Sequence, residues 1–346
     1  MAYSISRVSP DDTRALGQVD ALLRQEGIRR DGNLDYIAAL YDEDYRVIAT
    51  GSCFGNTLRC FAVSHAHQGE GLLNQVITHL IEVQYARGNL RLFLYTKIGS
   101  ARFFGDLGFY EIARVDGTLV FMENRRDGFD HYLKRLEKTR AEGKSAALVM
   151  NANPFTLGHQ YLAETAAAAC DTLHLFIVSE DKSLVPFAVR KELVRAGTAH
   201  LKNVVLHDSG PYIISSATFP SYFLKDEAAV IEGHARLDLE IFKKIAAALN
   251  VSARFVGEEP TSQVTGLYNQ IMAEELPKAG IECRVIPRKE SSGQIISAST
   301  VRRALQEGDM ETFRRLVPPT TAAWFESPEA APVLERIRNA ENVVHY

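Results

Sequence analysis

The stretch from Ser145 to Cys170 constrains the fold of this chain more than any other. It begins with a short apolar run, Ala146 to Met150, which predicts a strand buried on both faces of a parallel sheet. It ends with an alanine-rich segment, His159 to Cys170, whose apolar residues recur at helical spacing. The residues between them, Asn151 to Gly158, are dense in turn formers. Strand, tight loop and helix in this order predict an α/β fold.

The same stretch has the composition of an anion site. A helix start leaves backbone N–H groups unpaired, and the helix dipole favours negative charge there. Thr156 can cap the helix or hold a phosphate oxygen, Gly158 allows close backbone approach, and His159 can donate to charge on a phosphorus atom. The alternative is that Thr156 is only a cap and His159 an ordinary surface residue, since four-residue patterns are common.

A second segment, Ile295 to Arg303, also passes from an apolar run through hydroxyl residues into a predicted helix. Ser297 and Ser299 can cap that helix, and Arg302 follows near one turn later, where a guanidinium can clamp a phosphate. Two such helix starts, one with His159 and one with Arg302, predict a cradle for a polyphosphate.

These two segments resemble known signatures. The loop N-P-F-T-L-G-H, ending at His159, resembles the T/H-x-G-H signature of the nucleotidyltransferase superfamily. Ile296 to Arg302 resembles its second signature, I-S-S-T-x-x-R, with Ala298 in place of one serine. The longer string from Met150 to His159 is similar to citrate lyase ligases, as are Tyr212–Pro220 and Phe255–Pro260. The resemblance covers nearly the whole chain.

The resemblance implies an HxGH-type nucleotidyltransferase domain over residues 145–346, with a Rossmann-like doubly wound parallel sheet and a helical tail. It implies catalytic roles for Thr156, His159, Lys182 and Arg302 and no metal-ligating residue. Lys182 follows the predicted strand Leu173–Ser179, at the end where open α/β sheets bind ligands. The residues that it implies to be nucleotide-binding are Asn151, Asn153, Phe155, Gly158, Gly257, Glu258, Ser297 and Ser299.

The activity implied by the resemblance is ATP-dependent acetylation of a protein-bound thiol. Acetate would attack the α-phosphate of ATP to give acetyl-adenylate and diphosphate, with Mg²⁺ bound mainly through ATP oxygens. The thiol would belong to the phosphoribosyl-dephospho-CoA group of the citrate lyase acyl carrier (gamma) subunit, and AMP would leave. There is no G-x-S-x-G elbow and no Gly-rich G-x-x-x-x-G-K-[ST] loop, which fits a site that mainly positions charge. The alternatives are an adenylyltransferase for pantetheine phosphate or a mononucleotide, and a nucleotide-binding regulatory protein.

Residues 1–124 are predicted to form a separate mixed α/β domain. Its strands, its helix from Leu72 to Arg87 and the preceding loop Gln68–Gly71 resemble the GNAT acyltransferase fold. The sequence departs from that family at Leu73, where a small residue is expected beside the pyrophosphate. We expect this domain to help receive the CoA-like arm; the alternative is an independent acetyltransferase. His65 and His67 lack a third metal ligand nearby and are expected to be surface residues.

Residues 125–144 are strongly charged and are predicted to be a helical linker ending near Gly143. Its basic residues could contact an acidic carrier protein, although a charged run of this kind is more often only the solvent-exposed face of a helix. The formal net charge of −4 argues against bulk attraction to nucleic acid or to an anionic membrane. Four scattered cysteines, without a C-x-x-C pair, and no long apolar run predict a cytoplasmic protein with reduced thiols.

Overall fold

A computed structural model describes residues 3–180, 183–213, 227–258, 263–291 and 294–343. The chain divides into two compact units, one formed by Met1–His131 with Pro220–Glu240, the other by Tyr132–Phe219 with Ile241–Tyr346. The described residues 227–240 therefore group with the N-terminal unit, which the order of the sequence does not indicate. The boundaries predicted at 124 and 145 stay a prediction.

The described part of the first unit contains a mixed sheet of seven strands. They are β1 (Ser4–Arg7), β2 (Tyr36–Tyr41), β3 (Val47–Phe54), β4 (Thr57–Val63), β5 (Phe93–Thr96), β6 (Tyr110–Val115) and β7 (Leu119–Glu123). The strand order is β1-β2-β3-β4-β5-β7-β6, and only β4 and β5 pair in parallel. Its helices are α1 (Thr13–Gln25), α2 (Leu72–Ala86) and α3 (Ala101–Asp106). The predicted mixed α/β fold is confirmed.

Apolar periodicity accounts for the helices of this unit. Val19 and Leu23 of α1 and Val76 and Leu80 of α2 are all buried, at the helical spacing that places them on one face. The apolar residues from Leu90 to Tyr95 predict a strand, whereas the corresponding strand β5 begins at Phe93. Leu90 is 59% exposed, so its apolar character does not reflect burial.

The linker helix is shorter than predicted. Helix α4 spans Gly128–Glu137 and ends six residues before Gly143. Its buried stripe consists of Phe129, Tyr132 and Leu136, so no apolar anchor remains beyond that point to hold a further turn. A hydrogen bond from Thr139 N–H to Leu136 O closes the helix.

The second unit is built on a parallel sheet. Its strands are β8 (Ser145–Met150), β9 (Thr172–Ile177), β10 (Val204–Asp208), β11 (Val251–Gly257) and β12 (Glu282–Ile286), in the order β10-β9-β8-β11-β12. A short hairpin follows, formed by β13 (Glu290–Ser291) and β14 (Gln294–Ile295). The helices are α5 (Leu157–Ala168), α6 (Phe187–Gly197), α7 (Glu227–Leu249), α8 (Gln263–Glu275), α9 (Ala298–Glu307), α10 (Met310–Leu316), α11 (Pro319–Phe325) and α12 (Ala331–Arg338). The first residues of α7, up to Glu240, belong to the first unit.

This sheet is doubly wound, as predicted. Leu148 and Phe255 point into a core with Ala163 of α5 and Val301 of α9. Their neighbours along the strands point to the other face, where the Arg254 guanidinium lies 4.3 Å from the ring centre of Phe242 in α7. From β8 the chain adds β9 and β10 on one side of the sheet and then β11 and β12 on the other, so β8 and β11 flank a topological switch point. Open α/β sheets bind ligands at the carboxyl edge of such a switch point.

Several helices were missed or misjudged. Helix α7 begins at Glu227 rather than Asp238, and α8 was not predicted. The tail from Pro318, predicted as one final helix, contains two, α11 and α12, with Pro328 between them; they bury apolar residues such as Phe325 and Ile337. No helix among the described residues is long and apolar enough to span a membrane.

Candidate active site at two helix starts

The start of α5 is closed by a reciprocal pair of hydrogen bonds. The His159 N–H donates to Thr156 Oγ1 at 3.3 Å, and the Thr156 N–H donates to His159 Nδ1 at 3.1 Å. This is a capping box in which histidine takes the place usually held by glutamate or glutamine. Thr156 is therefore the helix cap predicted as one alternative, and its capping bond also orients the imidazole.

The capping box fixes the tautomer of His159. Because Nδ1 accepts a hydrogen bond, the neutral ring carries its proton on Nε2, which is then a donor. Burial, together with the nearby charges of Arg288 and Arg302, lowers the pKa of His159 to about 4. The ring also stacks on Phe155, with centroids 5.8 Å apart. At neutral pH His159 is thus a fixed, uncharged hydrogen-bond donor.

The start of α9 presents three neighbouring hydroxyls. Ser297 caps the helix by accepting a hydrogen bond from the Thr300 N–H at 3.1 Å. Its Oγ also lies 2.8 Å from both Ser299 Oγ and Thr300 Oγ1. All three side chains are half-buried, so they keep contact with solvent at the helix start.

The two helix starts meet. A Cβ atom added to Gly158 would lie 3.2 Å from the carbonyl oxygen of Ile296, so glycine allows α5 to approach the segment that leads into α9. Arg302 Nη1 of α9 donates to Asn153 O in the loop before α5, at 2.5 Å. The convergence that the sequence predicts for these two distant segments is present in the structure.

The end of β11 lies beside α5. A Cβ atom at Gly257 would be 3.6 Å from Leu162 of α5, and the Gly257 carbonyl accepts a hydrogen bond from Asn269 Nδ2 at 2.9 Å. The exposed residue Glu258 follows, and its N–H donates to Ile286 O at 2.8 Å. Gly257 and Glu258 therefore occupy the switch-point edge close to the capping box.

Arg190 is hydrogen-bonded to the loop after β8 from within the core. It is fully buried, and its guanidinium donates to the carbonyl oxygens of Asn151, Val178, Val185 and Glu180 and to Asn151 Oδ1. The Asn151 amide in turn donates to Ser183 Oγ at 3.0 Å. A guanidinium used in this way sets the loop's shape and leaves little capacity for a ligand.

Asn153 is also part of the loop's framework. Its side chain is buried, and its Oδ1 accepts a hydrogen bond from the Val185 N–H at 3.0 Å. Its Nδ2 has no hydrogen-bond partner among the described residues. The amide is thus held in one orientation with its donor side unsatisfied.

Two further predicted site residues, Arg302 and Phe155, are deeply buried, as Asn153 and Thr156 are. Arg302 is 3% exposed and donates to Val343 O at 2.6 Å as well as to Asn153 O, so in this structure it joins two backbone segments rather than facing an open phosphate site. Phe155 is fully buried, and a Cβ atom at Gly197 would lie 2.3 Å from its ring. Both side chains support the loop from within the core, a placement that the motif alone could not reveal.

Comparisons with known proteins show the family to which this chain belongs. The family model described as the citrate lyase ligase C-terminal domain matches residues 145–325. A [Citrate [pro-3S]-lyase] ligase of Haemophilus influenzae is 38% identical over 327 residues, covering 92% of this chain and 97% of the relative. The chain belongs to the citrate lyase ligase family. Ligases of the same description from Klebsiella pneumoniae (39% identity; 89% of this chain, 91% of the relative) and Escherichia coli K12 (38%; 93% of each) are similar over the same extent.

Part of this citrate lyase ligase family member is also similar to solved acetyltransferase structures. A GNAT-family acetyltransferase of Staphylococcus aureus Mu50 covers 36% of the chain at 12% identity and a TM-score of 0.31, with all of its own length aligned. Escherichia coli ElaA covers 36% at 16% identity, with 99% of its own length aligned and a TM-score of 0.31. These likenesses carry no information on what the first unit binds.

Other residues implied by the family resemblance lie outside the described residues. Lys182 is one, as are Glu259 and Pro260 and the hydroxyl-rich segment 214–226. The hydroxyls and aromatic rings of Ser209 to Leu224 predict either a small polar pocket or lid, or an ordinary loop that packs on the core. Of this segment, the described residues Ser209 and Tyr212 are fully buried. Their hydroxyl and aromatic groups pack within the unit.

Sequence reasoning missed Arg288. It follows β12, and its Nε donates to Glu258 O at 2.7 Å, which places it at the same sheet edge as His159. A basic residue just after a parallel strand and before the Ser297 segment is a usable signal, but Arg288 lies outside the second signature, Ile296 to Arg302. Burial lowers the pKa of Arg288, although the group stays half-exposed.

The two histidines before α2, His65 and His67, have different partners. His65 contacts Glu26 and Gln68, whereas His67 contacts Glu70, so the two imidazoles serve different partners. Among the described residues there is no group of three or more His, Cys, Asp or Glu that could hold a metal ion.

Glu70 places a carboxylate within the loop Gln68–Gly71. It accepts a hydrogen bond from the Tyr3 hydroxyl, and this bond and His67 lower its pKa, so it is ionised. Leu73, the position that departs from the acyltransferase pattern, packs against the core of this unit. An anionic side chain in a loop of this kind disfavours a pyrophosphate.

Proposed function

We propose that this protein is an ATP-dependent ligase that acetylates citrate lyase. The observation that carries the proposal is the meeting of two capped helix starts, near His159 and Ser297, at the switch-point edge of a parallel sheet. Such an edge offers unpaired N–H groups, hydroxyls and a fixed imidazole to a polyphosphate. Membership of the citrate lyase ligase family supplies the acceptor.

In the first step, acetate attacks the α-phosphate of ATP. A carboxylate oxygen of acetate forms a bond to the α-phosphorus, and the bond from that phosphorus to the oxygen bridging the α- and β-phosphates breaks. Diphosphate leaves, and acetyl-adenylate is the product that remains. The helix starts, with Thr156, Ser297 and Ser299, would hold the β- and γ-phosphates, while His159 and Lys182 stabilise the charge on the transferring phosphorus. The work is positioning and charge stabilisation, as in phosphoryl transfer generally.

His159 can do its part without moving a proton. Its Nε2–H donates to a phosphate oxygen while Nδ1 remains bonded to the Thr156 N–H. Approach of the phosphate charges would raise the pKa of the ring from its value of about 4, which strengthens the donor as negative charge builds up. Mg²⁺, bound through the oxygens of ATP, would neutralise part of the charge on the leaving diphosphate.

In the second step, the thiol of the carrier's CoA-like group takes the acetyl. A carbon–sulfur bond forms, the carbon–oxygen bond to AMP breaks, the thiol proton is released and AMP departs. The acceptor is proposed to be the phosphoribosyl-dephospho-CoA group of the acyl carrier subunit. The N-terminal unit is proposed to help receive that arm.

The test is to mix the protein with ATP, Mg²⁺ and acetate, with and without deacetylated citrate lyase, and to analyse the nucleotides formed. AMP that depends on both acetate and the carrier, with acetyl recovered on the carrier thiol, is the expected result. A dinucleotide or dephospho-CoA product would instead show an adenylyltransferase. Nucleotide binding without turnover would show a regulatory protein.

A further inference from the structure

The second half of α4 and the turn after it carry an excess of positive charge. Residues 134–144 contain five lysines and arginines and two glutamates, in a chain whose formal net charge is −4. Leu136 is buried in the core, whereas Lys134, Lys138 and Arg140 are exposed to solvent. These three cations, which we call the basic face of α4, are therefore opposite in sign to the molecule as a whole.

The basic face has no acidic partner within the described part of the chain. Its three side chains form no hydrogen bond or ion pair with any residue that the structure describes. By contrast, the exposed cations Lys191 and Arg314 pair with Asp208 and Glu326, at 2.7 and 2.6 Å. Because the charge of the basic face is not neutralised by the protein itself, it is available to an acidic surface on another molecule.

Helix α4 leads away from the carboxyl edge of the parallel sheet. The Tyr132 hydroxyl donates to Asp208 O at the end of β10, at 3.4 Å, and its ring centre lies 4.9 Å from that of Tyr212. Further along the linker, the Lys144 N–H donates to Asp171 Oδ2 at 2.7 Å, just before β9 begins. The basic face therefore starts near the edge that holds the candidate site and extends toward the opposite edge.

The basic face lies outside the ATP site but near it. Strand β10 is two strands from β8, and neighbouring strands lie about 4.8 Å apart, so their carboxyl ends are roughly 10 Å from each other. A helix rises about 1.5 Å per residue, which places Lys134 and Lys138 roughly 3 to 9 Å beyond Tyr132 along the chain. A protein bound to this face would lie beside the start of α5, at a distance that an extended CoA-like arm spans.

We propose that the basic face of α4 is the docking surface for an acidic face of the citrate lyase acyl carrier subunit. This inference rests on the proposed function for the identity of the partner, and it adds the place where that partner binds. Complementary charge steers association and fixes orientation, so docking here brings the prosthetic arm to the carboxyl edge of the sheet. Nucleic acid and anionic membranes are disfavoured as occupants, because the molecule as a whole is acidic.

The test reverses two charges of the basic face, with Lys134→Glu combined with Lys138→Glu in the full chain. The KM for deacetylated citrate lyase in acetyl transfer is expected to rise at least about tenfold at low salt, through loss of electrostatic steering. Acetate-dependent exchange of diphosphate into ATP needs no carrier and should be unchanged. The difference in KM should shrink at 1 M KCl, where the Debye length is about 3 Å.

Arg336→Glu combined with Arg338→Glu is the matched control. These two arginines are also exposed cations at the C-terminal end of a helix, α12, so their reversal changes the net charge equally and removes the same favourable interaction with a helix dipole. The KM for citrate lyase should stay that of the original protein. Equal rises in the two double variants, or no rise in the α4 variant, would overturn the inference.

Three further outcomes are distinguishable. If the α4 variant does not fold, Lys134→Gln combined with Lys138→Gln carries the test, and an unchanged KM overturns the inference. A changed oligomeric state in sedimentation, with KM unchanged, would show that the face joins copies of this chain and would also overturn it. If the original protein transfers no acetyl group to citrate lyase, the proposed function falls. Direct binding by calorimetry then decides, and absent binding or equal Kd values for the original protein and the variant overturn the inference.

Discussion

At the scale of single residues, His159 has two roles that one substitution can separate. It caps α5 through Nδ1 and offers Nε2–H to a ligand. Glutamine is the residue that a capping box ordinarily carries at this position, so His159→Gln can keep the cap while removing the imidazole.

We therefore expect His159→Gln to fold with nearly the stability of the original protein and to form AMP about 10²–10³ times more slowly, the cost of one lost transition-state donor. His159→Ala should show the same loss of rate and, in addition, a loss of about 1 kcal/mol of unfolding free energy. Steady-state AMP release and urea denaturation measure the two effects. Near-normal AMP release by the glutamine variant would remove His159 from the mechanism.

At the scale of secondary-structure elements, two buried histidines form a side-chain contact between the neighbouring strands β9 and β10. His174 Nδ1 lies 2.9 Å from His207 Nε2, and His207 stacks on Phe176 with ring centroids 4.8 Å apart. Burial lowers the pKa of both to about 4, and the neighbouring His174 contributes to the shift at His207. His174 Nε2 has no hydrogen-bond partner in the part of the chain that the structure describes.

The sign of the pH effect follows from these pKa values. Between pH 6.5 and about 4, the unfolded chain binds protons at these positions and the folded protein does not, so stability falls as the pH falls. Each histidine can contribute up to about 1.4 kcal/mol per pH unit in this window. The two histidines together should therefore give a measurable dependence of stability on pH in this window.

We expect His174→Leu combined with His207→Leu to flatten the dependence of the unfolding free energy on pH between about 6.5 and 4. Urea denaturation at a series of pH values measures it. His200→Leu is the control, because His200 is exposed and pairs with Glu164 at the surface, and its profile should follow that of the original protein. Parallel profiles for the double variant and the original protein would contradict the assignment.

At the scale of the whole molecule, the formal net charge is −4, although the proposed ligand is a polyanion. The global field therefore opposes ATP, and binding has to come from local cations and helix starts around His159 and Arg288. Half-exposed charges such as Arg288 are screened by salt, since the Debye length falls from about 10 Å at 0.1 M to about 3 Å at 1 M.

We expect the Kd of the original protein for ATP to rise several-fold between about 0.1 M and 1 M KCl. The uncharged nucleoside adenosine is the control, and its Kd should not change. A Kd for ATP that is independent of salt would show that exposed cations contribute little to binding.

Much of the fold could be predicted because its signals are local. Buried strands such as β8 are continuous apolar runs, and α2 and α5 carry helical periodicity, so their positions were accurate to within a few residues. The errors fall where local pattern and burial disagree: exposed Leu90, a linker whose apolar stripe stops at Leu136, and a tail interrupted by Pro328. The grouping of residues 227–240 with the first unit has no local signal.

The sequence by itself determined the two helix starts, because capping needs only residues within one turn of each other, as at Thr156 with His159 and Ser297 with Thr300. Tertiary structure alone decided which cations line the site. Arg302 is turned inward onto the carbonyls of Asn153 and Val343, while Arg288 lies at the rim of the sheet. Whether a guanidinium meets a ligand or a buried carbonyl depends on contacts between residues far apart in the chain, and no short motif encodes those.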